Sequence, residues 1–128
     1  MKSALMLGVN PNAIREKNDF YATNPHALEI AMPIFKNILH KNVWECACGQ
    51  GHLSEVLKAN GYNVKSTDLV DRGYGEVQDF LTCNDKFDGD ILTNPPFKLA
   101  EQFVKKSFEL INEGNHAIFF LKVQFLES

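Results

Sequence analysis

Three cysteines, five prolines and one tryptophan are spread over 128 residues, and 13 Lys and Arg are outnumbered by 16 Asp and Glu. Each shortage excludes something. An odd, small number of cysteines does not make a disulfide framework, so a reducing compartment is the expectation. No apolar run approaches the ~18–20 residues of a membrane helix, and the stretch from Met1 to Leu7 is too short for a secretory core. A cytoplasmic protein without a membrane partner is therefore expected. A net charge of −3 provides no basic footprint of the kind that advertises nucleic acid. Internal repeats, low-complexity tracts and interdomain linkers are also missing. What is present, 45% hydrophobic and 23% charged residues, is an ordinary globular composition that excludes a disordered or collagen-like chain, and the length suits one domain.

Along the chain, residues 1–18 read as a polar, irregular segment with a turn at Asn10-Pro11-Asn12, and residues 19–128 as the folded domain. A helix is predicted from Thr23-Asn24-Pro25, where a capping residue precedes a proline whose missing N–H costs nothing at the first position. Leu28, Ala31, Phe35 and Ile38 or Leu39 recur at helical spacing, and Pro33 is expected to kink or split that helix. Val43 to Cys48 reads as a strand ending in the turn Gly49-Gln50-Gly51. His52 to Asn60 is a second helix stopped by Gly61, and Asn63 to Asp68 a second strand. Glu76 to Leu81 is expected to contain a short strand, and Asp90 to Thr93 a buried one. Lys98 to Glu113 is a third helix with Leu99, Phe103, Ser107, Leu110 and Ile111 inward. His116 to Leu126 is a central strand. Strands alternating with helices imply right-handed crossovers, a parallel sheet and a ligand site outside its carboxyl edge.

Three places carry chemistry. Glu45-Cys46-Ala47-Cys48-Gly49-Gln50-Gly51 places a glycine pair between strand and helix, where backbone can approach a ligand and helix N–H groups face it. Ser54 stands where a dinucleotide fingerprint wants glycine, so the pattern also fits a plain tight turn. Asp68 ends the second strand 19 residues after Gly49, the position at which a carboxylate can accept two ribose hydroxyls; it also fits a turn-forming or capping Asp. Asp79-Phe80 offers a carboxylate for an exocyclic amine and a ring beside it, or simply a loop Asp next to a core Phe. Asn94-Pro95-Pro96-Phe97 follows a buried strand. Two prolines freeze the backbone and remove two donors, Asn94 brings an amide oxygen and Phe97 a flat apolar face. Two acceptors and a ring suit a planar amine, although a strand-ending turn remains open. Cys46 and Cys48 are too few and too close for zinc and read as core. His26, His40, His52 and His116 lack ligand spacing and read as surface or capping residues.

In this order, Glu45-x-Ala-Cys-Gly-x-Gly51, Asp68, Asp79-Phe80 and Asn94-Pro-Pro-Phe97 resemble the S-adenosylmethionine-dependent amino-methyltransferases, specifically the adenine-N6 DNA methyltransferases. The segment Asp19-Phe20-Tyr21-Ala22-Thr23-Asn24-Pro25 is similar to the family's additional cofactor motif, placed ahead of the glycine motif as in the gamma-type order. Such enzymes occur in phages and restriction–modification systems. The resemblance covers about residues 19 to 126 and implies a Rossmann-like α/β methyltransferase fold, a mostly parallel sheet with helices on both faces. The family's last strands and a target-recognition domain are expected to be missing. It further implies Phe20, Tyr21 and Thr23 against the methionine end of the cofactor, Glu45 at its ammonium, and Gly49 and Gly51 making room. Asp68 would hold the ribose, Leu69 would pack near the adenine, and Asp79 would accept from the adenine amine with Phe80 alongside. Asn94 and the Pro95 carbonyl would grip the target amine, with Pro96 stiffening the corner and Phe97 stacking on a flipped base. No metal is required.

The implied function is methyl transfer to the exocyclic amine of adenine in duplex DNA. Asn-Pro-Pro-aromatic elements also serve a protein glutamine amide or an RNA base, and an inactive binding module is the reading from a different class. The last strand is expected to leave an open sheet edge at Phe119, which suggests a homodimer.

Overall fold

The computed structural model describes residues 2–9 and 25–122. Strand β1 (Ser3–Val9) is followed by α1 (Pro25–Phe35), β2 (Asn42–Glu45), α2 (His52–Ala59), β3 (Asn63–Asp68), β4 (Glu76–Val77), β5 (Asp90–Thr93), α3 (Ala100–Leu110) and β6 (His116–Lys122). Single 3-10 turns at Phe80–Thr82 and Phe97–Leu99 precede β5 and α3. The six strands form one all-parallel sheet in the order β1-β6-β5-β2-β3-β4. The protein is thus α/β, with an architecture compatible with a Rossmann-like fold.

Alternation along the central strands sorts the core into two layers. Val43, Leu92, Ile118 and Phe120 point to the face covered by α1 and α2 through Leu28, Met32, Phe35, Leu53 and Leu57. Trp44, Ile91, Ala117, Phe119 and Leu121 point to the opposite face, covered by Ala100, Phe103 and Leu110 of α3 and by Phe80. Helices therefore lie on both faces, as a βαβ succession requires.

The amino-terminal segment differs from expectation. Ser3–Val9 is not irregular but pairs in parallel with all seven residues of β6, Ser3 opposite His116 and Val9 opposite Lys122. A short apolar run such as Ala4-Leu5-Met6-Leu7 takes its conformation from the strand it meets, and that partner lies more than a hundred residues away. This pairing also overturns the open edge at Phe119: β6 is interior, and the outer strands among the described residues are β1 and β4. The argument for a dimer through β6 falls with it.

Smaller differences have local causes. Pro33 lies inside α1 without splitting it. It stands in the last turn, where its missing N–H removes one bond to the turn of the exposed Glu29, and Lys36 N–H still reaches the Met32 carbonyl at 2.9 Å. Ile38 and Leu39 fall after the helix but pack partly buried against the same core. β2 ends at Glu45, because Cys46 and Ala47 turn toward the glycines. α3 begins at Ala100 rather than Lys98 and ends at Leu110, Ile111 turning extended beyond it. Of the strand expected to Leu126, residues beyond Lys122 lie outside the described ones, as do Asn10 to Asn24. No helix among the described residues is long and apolar enough to cross a membrane.

Candidate functional site

The order of strands reverses at β2. From β2 the chain proceeds outward through β3 and β4, then returns to lay β5 on the other side of β2 and continues outward to β6. In open α/β sheets ligands bind at the carboxyl ends of the strands beside such a reversal, here those of β2 and β5. Glu45 is the last residue of β2, Asp68 of β3 and Thr93 of β5, so three motifs separated by up to 48 residues end at one edge.

Glu45 is 1% exposed. Its Oε1 accepts the Ala47 N–H at 3.0 Å and the hydroxyl of Thr93, while Oε2 has no hydrogen-bond partner among the described residues. Withdrawal from water is the main cause that pushes its pKa up to about 8; the bonds from Thr93 and Ala47 pull the other way, and the charge of Asp68 adds to the rise. Among the described residues, then, this carboxyl is held through Oε1 alone.

Asp68 closes the glycine turn. Its Oδ2 accepts the Gly49 N–H at 2.9 Å and its Oδ1 the Val70 N–H at 3.0 Å. Each carboxylate oxygen retains a further lone-pair direction for hydroxyl donors. The Cys48 N–H, 2.9 Å from the Thr67 carbonyl, ties the same turn to β3. Leu69 follows with 59% of its surface exposed, an apolar lip beside the carboxylate.

Gly51 is the αL residue that caps α2, at φ +88°, and a Cβ there would lie 2.4 Å from the Tyr74 ring. The space beside Gly51 is therefore filled by this chain's own tyrosine, whose hydroxyl donates to Glu55 at 2.5 Å and accepts from Lys58 at 2.7 Å. Sequence reading missed Tyr74, Glu55 and Lys58. An i,i+3 Glu and Lys on a helix read as solvated, and nothing local places Tyr74 above a glycine 23 residues earlier.

Asp79 and Phe80 separate in role. Gln78 N–H reaches the Asp68 carbonyl at 2.8 Å, which puts Asp79 near the end of β3, exposed and accepting the Leu81 N–H at 3.0 Å. Phe80 is 2% exposed, edge-on to Trp44 with ring centroids 5.1 Å apart and stacked on Phe103 at 5.0 Å. It belongs to the core on the α3 side.

At the corner after β5, Pro95 is buried, and Asn94, Pro96 and Phe97 are partly exposed. Pro96 has φ −54° and ψ 132°, and its carbonyl accepts the Leu99 N–H at 3.0 Å to close the 3-10 turn. Asn94 thus follows directly on the Thr93 that bonds Glu45. Phe20, Tyr21 and Thr23 lie outside the described residues.

The cysteines are free and buried, and burial raises the Cys48 thiol to about 12 and Cys46 well above its usual value, so neither is a ready nucleophile. Of the histidines, His40 is at the surface as expected and His116 is half-buried; both join a polar cluster at the opposite, amino edge of the sheet. There the fully buried Asp90 accepts the His40 N–H at 2.5 Å, the His116 N–H at 2.8 Å and the Asn115 amide at 3.0 Å. A cavity of about 460 Å³ beside it is lined by Ser3, Leu5, Asn37, Ile38 and His116 among others.

No family model matches the chain, and no curated protein matches it either.

Proposed function

We propose that the protein is an S-adenosylmethionine-dependent methyltransferase acting on the exocyclic amine of adenine in DNA. The observation that carries this reading is the meeting, at the carboxyl ends of adjacent strands, of Glu45, Asp68 and the Asn94-Pro95-Pro96-Phe97 corner. The donor set fits the cofactor: a buried carboxyl with one oxygen unpartnered among the described residues for an ammonium, an Asp at the end of the neighbouring strand for two hydroxyls, an exposed Leu69 for an apolar ring face, and Asp79 for an amine. When bound, the cofactor supplies a sulfonium-activated methyl group.

The chain's own residues handle the other reactant. The amine of adenine is a poor nucleophile because its lone pair is spread into the ring. The Asn94 amide oxygen and the Pro95 carbonyl would accept its two hydrogens, favouring a pyramidal nitrogen with a localised pair; this is electrostatic stabilisation by preset acceptors. The diproline backbone holds those acceptors without rearrangement, and Phe97 offers its ring face to the base. A base inside a duplex is out of reach, so the target would leave the stack.

Calorimetry with S-adenosylmethionine and transfer of labelled methyl to adenine-containing duplex DNA test the reading. Asn94→Ala is expected to lower transfer by about 100-fold or more while leaving cofactor affinity nearly unchanged. Absence of binding at millimolar cofactor would defeat the whole reading. Transfer to a glutamine peptide or RNA but not to DNA would overturn the substrate.

A further inference from the structure

We infer that Thr93 is a positioning residue: its hydroxyl, bonded to Glu45 Oε1, links the ammonium end of the cofactor site to the amine-gripping corner that begins at Asn94, so that filling one is felt at the other. This deepens the function proposed above and rests on it.

Both partners are essentially withdrawn from solvent, Thr93 at 0% and Glu45 at 1% exposure. β2 and β5 run side by side, with Val43 opposite Asp90 and Trp44 opposite Ile91, so the two side chains meet just past the last paired residues. The hydroxyl crosses that gap and donates to the same oxygen that accepts the Ala47 N–H at 3.0 Å. A valine would fill the Thr93 site and bury apolar surface, so packing alone does not call for the hydroxyl. Glu45 Oε2, without a hydrogen-bond partner among the described residues, is the oxygen left for an incoming ammonium. A carboxylate ionised by that partner holds Thr93 by a charge-assisted bond, stronger than the one made to a neutral acid. The residue so fixed is covalently next to Asn94, and the diproline that follows does not absorb the change by bending. Such coupling is reciprocal, so engagement of the amine at Asn94 tightens cofactor binding in turn.

The test uses the full chain and S-adenosylhomocysteine, which carries the same ammonium and cannot react. Titration is followed by calorimetry and by the Asn94 side-chain amide resonance. The wild type is expected to bind with a shift of that resonance. Thr93→Val is expected to bind about tenfold more weakly with the shift lost, and Thr93→Ser to restore both. A second measurement needs no ligand and covers a Thr93→Val chain that does not fold. Raising pH from 6 to 9 is expected to move the Asn94 amide in the wild type and not in Glu45→Gln; Asp68, Cys46 and Cys48 are the other titratable groups coupled to Glu45. Unchanged affinity and an unchanged Asn94 shift in Thr93→Val, or a pH response that survives in Glu45→Gln, would overturn the coupling and leave the methyltransferase reading standing. Failure of the wild type to bind would defeat that reading itself, and the coupling with it.

Discussion

Glu45 holds a carboxyl group inside the protein, where desolvation pushes its pKa up from 4.5 to about 8. Between those values the folded chain keeps a proton that the unfolded chain has released, so this group's contribution to stability is full below about pH 4.5 and is lost as pH rises through 8. The ligand-free protein should therefore lose up to about 1.4 kcal/mol per pH unit across that window from this source. Glu45→Gln, which keeps an accepting oxygen without the charge, should flatten the dependence; thermal melts at half-unit steps of pH would show it. Binding carries the opposite sign. A cationic ligand needs the ionised form, so its affinity should rise by up to about tenfold per unit from pH 6 to 8, and Glu45→Gln should remove the slope. At this scale Asp68 was readable as the end of its strand, because an acidic residue closing a strand is visible from neighbours alone; Glu45 was read inside a longer strand, and only the structure makes it the last residue of β2. Thr93 was not readable, since threonine in a buried strand already has a sufficient reason to be there.

The glycine turn and α2 form the element on which the site is mounted, and Gly51 is its tightest point. An alanine there meets two penalties: a left-handed backbone at φ +88° and a Cβ 2.4 Å from the Tyr74 ring. Gly51→Ala should cost about 1–3 kcal/mol in urea unfolding. Adding Tyr74→Ala should recover the steric part and leave the backbone part, so the double variant should be less destabilised than the sum of the singles. Exact additivity would mean that the ring does not constrain the turn. Helices and strands at this scale followed from periodicity, as α2 and β3 illustrate, with termini at a glycine and an aspartate. The segment holding Tyr74 was opaque because its conformation depends on Gly51, Glu55 and Lys58, none of them adjacent to it.

Across the whole molecule, the two edges of the sheet have different duties. The carboxyl edge gathers the candidate site, while the amino edge is drawn together by Asp90, whose carboxylate receives N–H groups from the start of β6 and from the chain entering β2. Removing a buried acceptor leaves its donors unsatisfied, so Asp90→Ala should lower stability by about 2–4 kcal/mol, read as a shift in the urea midpoint. Should cofactor affinity per folded molecule fall equally, the two edges would not be the separate devices described.

The local pattern of apolar residues, glycines and prolines was enough by itself to specify an α/β chain, the parallel character of its sheet and the motifs at the ends of three strands. Those features arise from neighbours within a few residues and from the handedness of βαβ crossovers. Only the tertiary structure decided that Ser3–Val9 is a strand on β6, that Tyr74 covers Gly51, that Phe80 turns into the core and that Thr93 reaches Glu45. Each is a meeting of residues distant in the chain, whose free energy comes from burial and hydrogen bonding against a partner that no local window of sequence contains.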